Sequence, residues 1–318
     1  MAKKYAFLFP GQGAQAPGMV KDVCEAFAEA RKCIDKASEI TGEDITKLLW
    51  ETDASVLSRT DRSQLAITAA SLAVAAALKS KGIEPSSAMG FSLGEFPALY
   101  TAGVLSFEDV IKVVQQRGKI MQGVCEEIAA ANEGHAPGMA AVIGLEPKKV
   151  IEITKSCEGA YAANMNSEKQ TVISATAGGL DQAEAKCKEA GARRFIRLAV
   201  AGPFHSPLMQ KAAEGFEKAI ENVAFNDPKI ALFSNVTGKK VTKGSEAKAS
   251  AVLHLTHPVL WTDEEAVLGS MIGSDTANEW AVLEVGPGKV LSGLWRDTAF
   301  GEKWPSLPVG SAADINSL

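Results

Sequence analysis

The hexapeptide Gly90-Phe91-Ser92-Leu93-Gly94-Glu95 sets a serine between two glycines in the pattern G-x-S-x-G. That spacing suits a sharp strand-to-helix turn that exposes the serine hydroxyl, because glycines permit a crowded backbone that a bulkier residue would block. A helix starting beyond Ser92 presents free N–H groups to an oxyanion forming there. A serine hydroxyl is a weak nucleophile and needs a base. The chain offers four histidines, His135, His205, His254 and His257. His135 lies in a polar, loop-like stretch. His254 and His257 have no neighbouring Cys or acidic cluster, which argues against metal ligation. His205 follows the apolar run Leu198 to Ala201 and a Gly202-Pro203 turn, so it stands on a loop at a strand end, where catalytic groups are often presented. Pattern alone leaves a structural role equally open.

Arg117 is the other residue with chemical content. It shares a helix face with Val110, Val113, Val114, Met121, Val124 and Ile128, and a cation there is costly unless something neutralises it. A buried Asp or Glu, or a stem that carries the head to water, would serve. So would a substrate carboxylate gripped in a bidentate fork. The residues themselves allow either.

The elements that must position these groups alternate between strand and helix. Tyr5 to Phe9 is a short apolar run stopped by Pro10-Gly11, the mark of a buried strand entering a tight loop. Helices are expected over Val23 to Ile40 and Gln64 to Lys81. A strand at Ala88 to Gly90 leads into Ser92, and a helix follows as far as Gly103. Ser106-Phe107-Glu108-Asp109 has the spacing of a capping box ahead of the Arg117 helix. Strands at Ile230 to Asn235 and Trp280 to Val285 complete the pattern of an α/β layer fold with a largely parallel sheet. Between them, Met139 to Leu145, Thr171 to Ala175 and Arg194 to Leu198 read as three strands, separated by helices at Lys148 to Ser156 and Leu180 to Ala190, and Gly159 to Asn164 would supply the one further strand the pattern needs. That order is βαββαβ, a small ferredoxin-like unit.

Bulk properties narrow the function classes. The 318 residues are 46% hydrophobic and 22% charged, an ordinary globular balance. With 33 basic and 38 acidic residues the formal charge is −5, which argues against a general nucleic-acid binder. Cys24, Cys33, Cys125, Cys157 and Cys187 are scattered and form no CxxC pair, so neither a disulfide framework nor a zinc site is indicated. No signal peptide and no apolar stretch long enough to span a bilayer is read from the sequence, and a cytoplasmic protein without a membrane partner is expected.

Six motifs in order make the chain resemble the malonyl-CoA:acyl-carrier-protein transacylases from about Tyr5 to Arg296. They are FPGQGAQ at Phe9 to Gln15, GFSLGE around Ser92, QRGKIMQ at Gln116 to Gln122, GPFHSPLM at Gly202 to Met209, HPVLW at His257 to Trp261 and EVGPGKVL at Glu284 to Leu291. The resemblance implies an α/β-hydrolase-like large domain over residues 1–127 and 200–300, an inserted ferredoxin-like subdomain over 128–199 and a tail over 301–318. It implies Ser92 as the acyl-accepting nucleophile and His205 as its base and later acid. The far side of His205 would be held by the backbone carbonyl of His254, where members commonly carry Gln. The N–H groups of Gln12 and Leu93 would form the oxyanion hole, and Arg117 would grip the free carboxylate of a malonyl group. Malonyl-CoA and acyl carrier protein are the implied partners, with no metal or redox cofactor.

One departure stands out: Phe91 occupies the position beside the nucleophile where members usually carry His, removing a polar group from the acyl pocket. Phe204 would crowd any α-branch and favour malonyl over methylmalonyl. Lys186, Lys188, Arg193 and Arg194 are candidates for docking an acidic carrier, beside the plainer reading of a solvated charged face. Competing readings are a free-standing polyketide-synthase acyltransferase, a serine thioesterase or esterase, and a non-catalytic scaffold. The lack of an evident acidic third triad member and the presence of Arg117 speak against hydrolysis, and intact Ser92, His205 and Arg117 speak against the scaffold.

Overall fold

The computed structural model describes residues 2–132 and 134–318. Among these, ten strands divide into two sheets: β1 (Lys3–Phe9), β2 (Pro85–Gly90), β3 (Gly138–Ile143), β4 (Ala160–Ser167), β5 (Gln170–Ala175), β6 (Arg194–Arg197), β7 (Ala231–Ser234), β8 (Lys239–Val241), β9 (Glu279–Val285) and β10 (Ser306–Val309). The larger sheet has the order β10-β9-β1-β2-β7-β8 and is parallel except for the final β7–β8 pair. Side chains alternate across a strand, so β1 sends Phe7 and Phe9 into the main core on one face and Ala6 and Leu8 into a second core on the other. Burial on both faces explains why its sequence is a continuous apolar run rather than an alternating one.

The smaller sheet runs β4-β5-β3-β6, antiparallel throughout, with the helices Pro147–Lys155 and Ala177–Glu189 packed against it around its own apolar core. This is the ferredoxin-like arrangement. The small sheet is tied to the segment leading into the helix Trp261–Ser274, where Val259 exchanges backbone hydrogen bonds with Ala163 and Met165 of β4, at 2.8 and 2.9 Å. The fold is thus an α/β-hydrolase-like parallel layer carrying an antiparallel α+β unit.

Four sequence expectations need correction. Residues 301–318 are not a tail: Ser306–Val309 forms β10 on the edge of β9, and a short helix, Ala312–Asn316, follows. The open edge of β9 supplies hydrogen-bond partners that the weakly patterned sequence does not announce. The Val23 to Ile40 helix is broken at Phe27, whose extended backbone (φ −126°, ψ 113°) separates Lys21–Ala26 from Ala28–Thr41. The Ser106 box is only half formed: the hydroxyl caps the Asp109 N–H at 3.0 Å, but Asp109 takes the hydroxyl proton at 2.6 Å instead of the Ser106 amide. Finally, the helix Thr60–Ser80 is long and apolar enough to cross a bilayer, yet 78% of its apolar window is buried in the protein. Its apolar surface is already covered by the core.

Candidate active site

The register of the parallel sheet assembles the site. Phe9 pairs with Gly90, so the loop leaving β1 and the elbow leaving β2 emerge side by side at the carboxyl ends of the strands. Beyond Gly90 the chain enters a tight turn, Ser92–Gly94, that continues as the helix Glu95–Thr101. Ser92 holds φ at 51°, a left-handed conformation rare outside glycine. A Cβ on Gly90 would collide with the Gly94 carbonyl, and one on Gly94 with the Phe9 carbonyl. Both motif glycines are therefore demanded by close backbone approach.

Ser92 Oγ lies 2.8 Å from His205 Nε2, and His205 Nδ1 lies 2.8 Å from the backbone oxygen of His254. A carbonyl can only accept, so Nδ1 carries the proton and Nε2 is left with the lone pair that receives the serine hydroxyl. His205 also has a positive φ, 57°, which turns its ring from the loop after Gly202-Pro203 toward the elbow. Burial, and then the charge of Arg117, push its pKa down to about 4, against its hydrogen bonds to the backbone of His254 and His257, which raise it. The imidazole is neutral at physiological pH, as a base must be. His254 is itself fully buried, and burial together with His205 and Arg117 holds its ring well below the usual range.

The amide of Ser92 is not free for an oxyanion, because it donates to Asn235 Oδ1 at 2.6 Å. The next amide, that of Leu93, begins the turn, where N–H groups lack intrahelical partners. Gln12 lies on the loop beyond β1, in a cavity of about 290 Å³ that is also lined by Ser92, His205, Arg117, Phe91 and Phe204. Phe91 packs edge-on against Trp261, with centroids 5.3 Å apart. His135, His254 and His257 do not line this cavity.

Arg117 closes the cavity floor on the buried face of the helix Phe107–Ala131 and is 1% exposed. Its Nη1 donates to Gln64 Oε1 at 2.7 Å and its guanidinium lies 5.2 Å from the Phe96 ring centre. Among the described residues no carboxylate forms an ion pair with it, and its buried Nε and Nη2 have no partner. Burial lowers its pKa to about 10, with Glu95 opposing, so it stays charged. Glu95 is the carboxylate whose field reaches it. Burial pushes that carboxyl up to about 7, against the Asn235 amide and Arg117. Among the described residues no ion-paired counter-ion of the kind left open by the sequence is found, and two guanidinium donors stay unpaired on a residue that lines the cavity.

The sequence profile of the family described as "Acyl transferase domain" matches residues 6–297. The chain belongs to this acyl transferase family. A malonyl CoA-acyl carrier protein transacylase of Haemophilus influenzae is 38% identical over 299 residues, 92% of this chain and 91% of the relative. An acyl carrier protein S-malonyltransferase from Vibrio cholerae superposes with a TM-score of 0.90 at 33% identity, covering 99% of each chain. A malonyl-transacylase solved in complex with its type II PKS acyl-carrier protein superposes at 0.89 and 31% identity, over 99% of this chain and 98% of that one.

In this acyltransferase, Ser92, His205, Arg117 and Gln12 meet in one cavity, Leu93 adjoins it, and His254 contributes its carbonyl from behind. Sequence reading missed Gln64, which orients Arg117, and Asn235, which binds the elbow. A buried Gln on an Ala/Leu-rich helix and a lone Asn at the end of an apolar strand were the only signals. Lys186 is engaged by Ser156 O at 2.7 Å and Lys188 by Glu184 at 2.7 Å, while Arg193 and Arg194 are exposed without such ties among the described residues. Among the described residues no group of three or more His, Cys, Asp or Glu side chains could hold a metal ion.

Proposed function

We propose that this acyltransferase moves a malonyl group from malonyl-CoA to the phosphopantetheine thiol of an acyl carrier protein, in fatty-acid biosynthesis, through an ester on Ser92. The observation that carries the reading is the buried Arg117, with two unpaired guanidinium donors, in the lining of the same cavity as the Ser92–His205 pair. The names of the most similar relatives support the choice of substrate and carrier.

The chemistry is an exchange in two halves. Ser92 Oγ attacks the thioester carbon as His205 Nε2 takes the hydroxyl proton, and the Gln12 and Leu93 amides hold the oxyanion. Collapse breaks the C–S bond, and the departing thiolate takes the proton back from Nε2. The carrier thiol then gives its proton to Nε2 and attacks the ester, and Ser92 Oγ recovers a proton as it leaves. Thioester-for-thioester exchange is redox-neutral, so the scheme calls on no redox cofactor, and it assigns the oxyanion to the two amides rather than to a metal. Phe204 crowds the α-carbon and favours an unbranched acyl group. The scheme uses soluble substrates and free thiols, in keeping with a cytoplasmic setting.

The test is intact-protein mass after mixing with malonyl-CoA. One malonyl adduct is expected, discharged by holo acyl carrier protein and absent from Ser92→Ala. An adduct that persists in Ser92→Ala overturns the assignment. Comparing fatty-acid with polyketide carriers as acceptors identifies the carrier class.

A further inference from the structure

We propose that Asn235 is a positioning residue that sets the separation between nucleophile and base by holding both of their supports with one amide. The proposal rests on the reading of Ser92 and His205 given above.

Asn235 follows directly on β7, next to the elbow in the sheet, and is fully buried. Every polar atom it has is engaged. Its Oδ1 accepts the Ser92 N–H at 2.6 Å and lies 3.0 Å from His254 Nε2. Its Nδ2 donates to the Gly90 carbonyl and to Glu264 Oε1, both at 2.7 Å. Its own N–H donates to Glu95 Oε2 at 2.9 Å, and its carbonyl accepts the Leu260 N–H at 2.8 Å. The amide cannot be turned over, since the Ser92 N–H can only donate and the Gly90 carbonyl can only accept. It follows that His254 Nε2 bears the hydrogen. Its Nδ1, buried and without a partner, is then the bare nitrogen.

The connections form a closed path. Ser92 bonds to His205, His205 to the His254 carbonyl, the His254 ring to Asn235 and Asn235 back to the Ser92 amide. Ser92 sits in a strained left-handed conformation. Without Asn235 its buried N–H would lose its acceptor, and a buried unsatisfied donor is expensive. The elbow would relax, and the segment that carries the His254 carbonyl would lose its tie to it. Because Asn235 does not line the cavity, it touches neither acyl group nor thiol. Its contribution is distance and direction.

The full chain is assayed for acyl-enzyme burst and for steady-state transfer. Asn235→Ala is expected to slow acylation on the order of a hundredfold, with KM for malonyl-CoA changed by less than about threefold. Asn235→Asp keeps the acceptor for Ser92 and His254 but turns an oxygen toward Glu264 and Gly90. It should be slow as well. Adding Glu264→Gln supplies a donor opposite that oxygen, and the double variant should recover about tenfold over Asn235→Asp alone. A merely structural asparagine would not give this recovery. Acylation within threefold of normal in Asn235→Ala overturns the proposal. So does a poorly folding Asn235→Ala together with a double variant no faster than Asn235→Asp. A Ser92→Ala control run alongside separates this failure from the other: an adduct surviving there removes the nucleophile reading itself.

Discussion

The two ends of the cavity are finished to different degrees. At the Ser92 end, hydroxyl, imidazole, His254 carbonyl and Asn235 amide form a closed set of hydrogen bonds with no substrate required. At the Arg117 end, one nitrogen is bonded to Gln64 while two are buried and unpaired. The protein organises the reacting groups from within and leaves the recognition charge for the ligand to complete. A carboxylate entering there gains charge-assisted hydrogen bonds at the place where leaving them unmade is costly. An acyl group without a carboxylate gains nothing from that end. Under the proposed function, selectivity and reactivity are thus housed in separate residues.

That separation can be broken from either side. The largest effect is expected from His205→Ala, which removes the imidazole bonded to Ser92 Oγ; transfer should fall about a thousandfold or more while circular dichroism stays unchanged. A loss of tenfold or less would place the base elsewhere. Arg117→Ala should cost malonyl transfer about 1.5–3 kcal/mol, roughly ten- to a hundredfold and more, while acetyl transfer falls little or rises. Equal losses for the two acyl groups would make Arg117 structural. His254→Gln should lose less than about tenfold at saturating malonyl-CoA, because the carbonyl is unchanged and a Gln amide can still donate toward Asn235. A collapse to the level of His205→Ala would mean that the imidazole takes part directly.

The smallest effect is a displacement of the pH profile. His205 must be neutral to act, and its pKa is pushed down to about 4, so kcat/KM should hold as pH falls through the usual histidine range and fail only near that value. Arg117 is the second cause of the depression. Removing its charge makes the imidazolium easier to form, so the acid limb of Arg117→Ala should move to higher pH. A limb that stays put would show that the two ends do not sense each other.

How much of this was legible in the sequence follows from the range of the forces involved. The elbow is local, its glycines and serine adjacent, and it could be read directly. Three strands and both helices of the small unit could also be read from their own patterns, while its fourth strand, Ala160–Ser167, is reached only as the piece needed to complete βαββαβ. Asn235 could not. Its partners lie 143 positions away at Ser92 and 19 away at His254, so its role exists only once the sheet is assembled. β10 failed for a related reason: Ser306-Leu307-Pro308-Val309 has no strand pattern of its own and is ordered by the edge of β9. Gln64 acquires meaning only from the buried guanidinium it faces.

The strand order also sets a timetable for biosynthesis. β1 (residues 3–9) lies between β2 and β9, and β9 ends at residue 285, so the first strand made waits for almost the last. The small sheet, by contrast, is complete at residue 197. At about 5–20 residues per second, a ribosome needs roughly 4–18 s to travel from that point to the end of β9. During that interval Ala6-Phe7-Leu8-Phe9 has one side of its ladder unpaired, and non-local pairings of this kind form slowly. Of the described strands, β1 waits through the longest stretch of chain for its second neighbour.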